Sequence, residues 1–223
     1  AVPPRPTGRG LHVVDKMIKD LPPISPSSFF HVSASISKKS KSKKKHSYLP
    51  DTSGLLSEDL FARTALYWDE AGLSFHVEVQ KPVEEVFFPN CTKGDSIELF
   101  IDTRNLKTTH SITQFSHQLV FLPIEVDGIQ TAEVTSFRGD DKHELADPNH
   151  FVIKTTLKKR EYTMDIEIPK DALHGYDPEN FTSLGFTYRI NRYKGKPQHF
   201  AISSTFFSVE KHPELWATLH LES

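Results

Sequence analysis

Glu98 is the residue whose setting most suggests chemistry. It lies in the run Gly94-Asp95-Ser96-Ile97-Glu98-Leu99-Phe100-Ile101-Asp102-Thr103-Arg104. In an extended strand, Ile97, Leu99 and Ile101 face one way, while Ser96, Glu98, Phe100 and Asp102 face the other. A carboxylate mid-strand, opposite a full apolar row, costs free energy unless water, a partner or a ligand satisfies it. Gln118 and Arg189 lie on neighbouring strand-like segments and could share its face. Arg189 alternates with Phe186, Tyr188 and Ile190, which places it with Thr187 and Asn191 and permits a Glu98–Arg189 ion pair. Glu98 and Glu167 could also be imagined as the two carboxyl groups of a glycoside hydrolase. Cross-strand pairing of each with Lys or Arg is the simpler expectation.

Other chemistries find less support. Cys91 has no positioned base nearby, and no GxSxG, GxxxxGK or GxGxxG string occurs. The twelve histidines are scattered without HxH or HExxH spacing, which predicts surface or loop positions rather than a metal site. Asp140, Asp141, Glu144 and Asp147 form an oxygen-rich loop of the kind that can hold calcium, although without EF-hand-like spacing a solvated acidic loop is the simpler expectation. The neighbouring Arg138-Gly139-Asp140 string supports no receptor assignment. The lysine run at 38–46 lacks interleaved aromatics, so it predicts a solvated loop rather than a nucleic-acid site. Trp68 and Trp216 fall in apolar register and predict core packing. Phe87, Phe88, Phe121, Tyr193, Phe206 and Phe207 are candidates for an exposed aromatic platform, some of them destined for the core.

The elements that must position these residues are short strands. Residues 1–28 carry six prolines and read as an extended arm, with one helical turn near Val13–Asp20. Strands are predicted at Phe29–Ser37, Phe61–Trp68, Leu73–Gln80, Ser96–Thr103, His117–Leu122 and Gln130–Phe137. Further strands are predicted at Phe151–Leu157, Tyr162–Ile168, Ser183–Asn191, Phe200–Ser204 and Trp216–Leu221. Helical signal is confined to Leu55–Leu60 and Lys170–His174. Such a pattern predicts an all-β fold, a single antiparallel β-sandwich of jelly-roll type over residues 29–223. With 223 residues, 37% hydrophobic content and sixteen Phe, the chain can fill such a core. A net charge of −2 gives no global field for nucleic acid or an anionic membrane. No stretch approaches the roughly 18 apolar residues of a membrane-spanning helix.

Taken in order, several of these segments resemble family 9 carbohydrate-binding modules. Asp95-Ser96-Ile97-Glu98-Leu99-Phe100-Ile101-Asp102 resembles their D-S-V-E-hydrophobic-F-hydrophobic-D signature, and His117-Gln118-Leu119 their Q-F strand. Tyr162–Pro169 is similar to their strand ending in I-P, Leu184-Gly185-Phe186 to their I-G-F strand, and Pro213-Glu214-Leu215-Trp216 with Leu219 to their terminal strand. The resemblance spans roughly 61–221. It implies a non-catalytic β-sandwich that binds sugar chain ends, commonly holds calcium, and works in an exported or extracellular setting. It places a ligand-binding Glu at Glu98. It also puts Thr92 where the family has a stacking Trp, Val120 where it has a binding Arg, and Phe206 near the site of a second Trp.

The sequence therefore predicts a non-catalytic, carbohydrate-module-like binding domain with Glu98, Gln118, Arg189 and Phe206 at its ligand face. It predicts no cofactor, with Asp140, Asp141 and Asp147 as the one loop that could take calcium. The competing expectation is a structural or protein-interaction sandwich that binds no sugar and meets a protein partner through edge strands or the basic loop.

Overall fold

The computed structural model describes residues 31–40, 46–108, 111–134 and 139–222. The arm at 1–28, with its predicted turn at Val13–Asp20, and Lys41–Lys45 lie outside the described residues. Among the described residues, eleven strands form two sheets. The larger runs β1 (Ser33–Ser37), β11 (Ala217–Glu222), β9 (Ser183–Asn191), β4 (Ser96–Asp102), β5 (Ser116–Val126) and β6 (Ile129–Glu133), with the two-residue β10 (Gln198–His199) beside β9. The smaller runs β2 (Ala62–Asp69), β3 (Gly72–Val79), β8 (Tyr162–Pro169) and β7 (Val152–Leu157). All pairings between strands are antiparallel except β1 with β11, which run parallel. Among the described residues, helix is limited to α1 (Ser53–Leu56) and short 3-10 turns.

Alternation decides what lies between the sheets. Ile97, Leu99 and Ile101 of β4, Leu119 and Phe121 of β5, and Phe186, Tyr188 and Ile190 of β9 meet Leu73, Phe75 and Val77 of β3 and Met164, Ile166 and Ile168 of β8. Phe75 contacts Phe186 and Tyr188 across the gap, with both ring pairs 6.4 Å apart. The β2–β3 hairpin turns on Gly72, at φ +145°, where a Cβ would stand 2.1 Å from the Ile168 carbonyl oxygen. The Tyr176 hydroxyl fastens the same turn by donating to the Asp69 carbonyl at 2.8 Å.

The expected strand at Phe200–Ser204 is not a strand. After β10 the chain bends, then runs through 3-10 turns at Val209–Lys211 and Pro213–Leu215 into β11. Ile202, Val209, Leu215 and Trp216 of this segment pack on Phe100, the one apolar residue on the Glu98 face of β4. Trp216 is buried as expected, but in this outer cluster rather than between the sheets, and its indole N–H donates to the Val209 carbonyl at 2.9 Å. Beside it, Cys91, Val120 and Leu122 form another outer cluster. The larger sheet is thus covered on both faces, and every residue of β4 is buried. A strand that reads as half-exposed by alternation is fully enclosed because a loop lies over its polar row.

Candidate functional site

The outer face of β4 gathers the polar residues that alternation placed there. Glu98 pairs with Arg189 on β9 and Val120 on β5, and Phe100 pairs with Gln118, so register alone puts Glu98, Gln118 and Arg189 together. Glu98 is 3% exposed. Its Oε1 accepts from Gln118 Nε2 at 2.9 Å and from Arg189 Nη2 at 3.0 Å. Its Oε2 accepts from Arg189 Nε at 2.5 Å and from Asn191 Nδ2 at 2.8 Å. Four donors fill the acceptor sites of one carboxylate. Arg189 Nη1 continues the network to Glu210 at 2.8 Å. Burial works against the Arg189 charge, but the Glu98 and Glu210 carboxylates outweigh it and hold the guanidinium above its ordinary range.

The flanking acids of the same run have a different task. Asp95 Oδ2 accepts from the Glu84 and Glu85 amides at 2.8 and 3.0 Å, while Asp102 accepts from the Arg104 and Leu106 amides at 2.9 and 2.7 Å. Each carboxylate satisfies backbone donors of an adjoining loop, which explains an acid at both ends of β4 without a ligand.

Two partners in the Glu98 network were not singled out as site residues from the sequence. Asn191 lies two residues beyond Arg189 and therefore on its face, so strand period could have found it. Glu210 arrives on the covering segment, and no local pattern marks it. Phe206, from that segment, is 65% exposed, whereas Phe121 is in the core and Phe207 packs on the outer cluster. Thr92 is exposed on the 3-10 turn Cys91–Lys93, and Val120 is buried against Cys91 and Leu122.

Glu98 and Glu167 do not meet. Glu167 lies on β8, on the outward side of the smaller sheet, where it binds Lys39 at 2.6 Å and accepts from Ser74 at 2.5 Å. The core separates it from Glu98, so the two cannot flank one glycosidic bond. Cys91 is buried, and burial pushes its thiol up to about 11, away from nucleophilic reactivity. In the acidic loop, Asp141 Oδ2 accepts from the Gln114 amide at 3.0 Å and Asp147 Oδ1 from the Asn149 amide at 2.9 Å, while Asp140 and Glu144 are exposed. These side chains engage separate backbone donors and, as placed, do not themselves gather the oxygens a calcium ion takes.

The histidines depart from expectation. The side chains of His117 and His199 are fully buried and that of His143 is 2% exposed. His117 and His143 converge on Glu133, a residue that no spacing pattern marks. Burial would raise the Glu133 carboxyl, but hydrogen bonds from both imidazoles and from the Ala146 amide hold it well below the usual carboxylate range. Burial lowers the His117 pKa.

A family model described as carbohydrate family 9 binding domain-like matches residues 36–223. The chain belongs to that family. Among solved structures, the family 9 domain resembles a family 9 carbohydrate-binding module from Caldicellulosiruptor kristjanssonii in complex with cellotriose. That match has 18% identity and a TM-score of 0.57, covering 86% of this chain and 94% of that one. A complex of a family 9 module from the same organism with glucose matches at 16% identity and a TM-score of 0.55, covering 86% and 96%. A Bacteroides uniformis protein matches at 8% identity and a TM-score of 0.51, covering 86% and 99%. No curated protein sequence matches significantly. At these identities the likeness establishes the β-sandwich fold of the family 9 domain. Among the described residues, no helix is long and apolar enough to cross a membrane.

Proposed function

We propose that this family 9 domain binds a saccharide without cleaving it, at Phe206 on the exposed side of the segment that covers the outer face of the larger sheet. One observation carries the reading. The covering segment leaves Phe206 65% exposed, while Gln118 and Arg189 stay buried and engaged with Glu98. Phe206 supplies an exposed aromatic surface for the apolar face of a pyranose. Glucose and cellotriose, the ligands in the related structures, make a glucose-type saccharide the first class to test. A non-catalytic role is supported by the saturated Glu98 and by the position of Glu167 on the far side of the sandwich.

Isothermal titration of the full chain with glucose, cello-oligosaccharides and xylo-oligosaccharides tests this. Saturable binding is expected, with no hydrolysis products by chromatography. Phe206→Ala should weaken binding about tenfold, the loss of roughly 1.4 kcal/mol of stacking. Absence of binding across the panel overturns the reading. In that event, cross-linking through Lys38 and Lys39 tests the protein-interaction alternative.

A further inference from the structure

His117, Glu133 and His143 occupy a place where alternation calls for apolar side chains. His117 pairs with Ile101 across β4–β5, and Glu133 pairs with Leu119 across β5–β6, so both fall on the register that faces the opposite sheet. His143 arrives from the loop after β6 and closes over them. The three side chains are 0%, 1% and 2% exposed, respectively. Glu133 Oε1 lies 2.9 Å from His117 Nδ1 and 2.6 Å from His143 Nε2, and the two rings are 4.2 Å apart. One ligating atom from each residue falls within 4.8 Å of the others, the one such grouping among the described residues.

The geometry points to a site for a divalent transition-metal cation of the zinc class at His117, Glu133 and His143. Two imidazoles and one carboxylate are a donor set that zinc takes, with a further coordination position left for water. Bonds of about 2.0–2.1 Å place neighbouring tetrahedral donors roughly 3.3 Å apart. The two oxygen–nitrogen pairs, at 2.9 and 2.6 Å, reach this by opening roughly 0.4 and 0.7 Å. A surrounding hydrogen bond is of the kind that orients a metal ligand: Glu133 Oε2 accepts from the Ala146 amide at 2.9 Å. An alkaline-earth ion is disfavoured because it prefers an all-oxygen shell. The residues flanking His143 are exposed, which gives the ion a route in through the loop. Bound there, the cation ties the loop to β5 and β6, the edge of the larger sheet, and its role is structural. The site lies on the inward register of the sheet, opposite in facing to the Glu98 network, and is independent of sugar binding.

The test uses the full chain stripped of metal with a chelator. Zinc titration followed by calorimetry should show one equivalent bound. Cobalt(II) in its place should give the intense visible bands of a low-coordinate site. At a thousandfold excess over Kd, zinc should raise Tm by about 10 °C. His143→Ala should weaken zinc binding at least roughly 100-fold, whereas His150→Ala, at a surface pair with Asp171, should leave it unchanged. No stoichiometric zinc or cobalt binding by the unmodified chain overturns the assignment. So does wild-type affinity in both His143→Ala and Glu133→Gln, which would place the cation on other histidines.

Discussion

Glu98 and Glu133 are two buried carboxylates of the same sheet, on opposite faces, with opposite kinds of partner. Glu98 is closed by four donors, two of them from a guanidinium that stays cationic at any pH the fold meets. Glu133 is held by two imidazoles that meet at a single oxygen. The first arrangement balances its charge internally and fixes the side chains around it. The second is built from groups that can lose a proton, change tautomer or take a metal. Burial of an acid is therefore not by itself a sign of ligand chemistry. What surrounds the acid decides whether it is scaffold or site.

The largest test of that contrast is Glu98→Ala. It leaves Arg189 buried with Glu210 as its remaining acid, and should cost about 3–5 kcal/mol in urea unfolding, the penalty of an uncompensated buried charge. Glu133→Ala leaves imidazoles that can stay neutral, so the loss in metal-free protein should be about 1–3 kcal/mol. Equal losses at the two positions would remove the distinction.

A smaller effect is expected at Glu58, which accepts from His199 Nδ1 at 2.7 Å and from Ser203 Oγ at 2.6 Å and so clamps the start of the covering segment. Burial would raise this carboxyl, but the hydrogen bonds from His199 and Ser203 win and hold it below its ordinary value of 4.5. Its contribution to stability is then complete above that pH. It should fade as pH falls from there through the lower folded-state value, because the unfolded chain takes up the proton first. Glu58→Gln should flatten this part of the stability–pH curve, and an unchanged slope would show that the clamp carries no linkage.

Much of the fold was legible because each strand states its facing locally. The Ser96–Asp102 alternation, the β2–β3 hairpin over Asp69–Gly72 and the β7–β8 turn at Lys158–Glu161 are short-range patterns, and the structure keeps them. The Glu98–Arg189 pair was legible for the same reason, since two alternations and one pairing suffice to predict it. Phe200–Ser204 misled because an apolar run reads alike whether it enters a sheet or lies across one. Its true role, sealing Phe100 and delivering Glu210 to Arg189, depends on contacts made far away in sequence.

By itself, the sequence determined the strand periods, the two-layer β architecture and the polar face centred on Glu98, because side-chain period in a strand is a local property. Tertiary structure alone decided that this face is roofed rather than open, and that four donors close around Glu98. It also brought His117, Glu133 and His143 within one ion's reach. These outcomes depend on where loops come to rest, and loop placement is set by long-range packing that no spacing rule encodes.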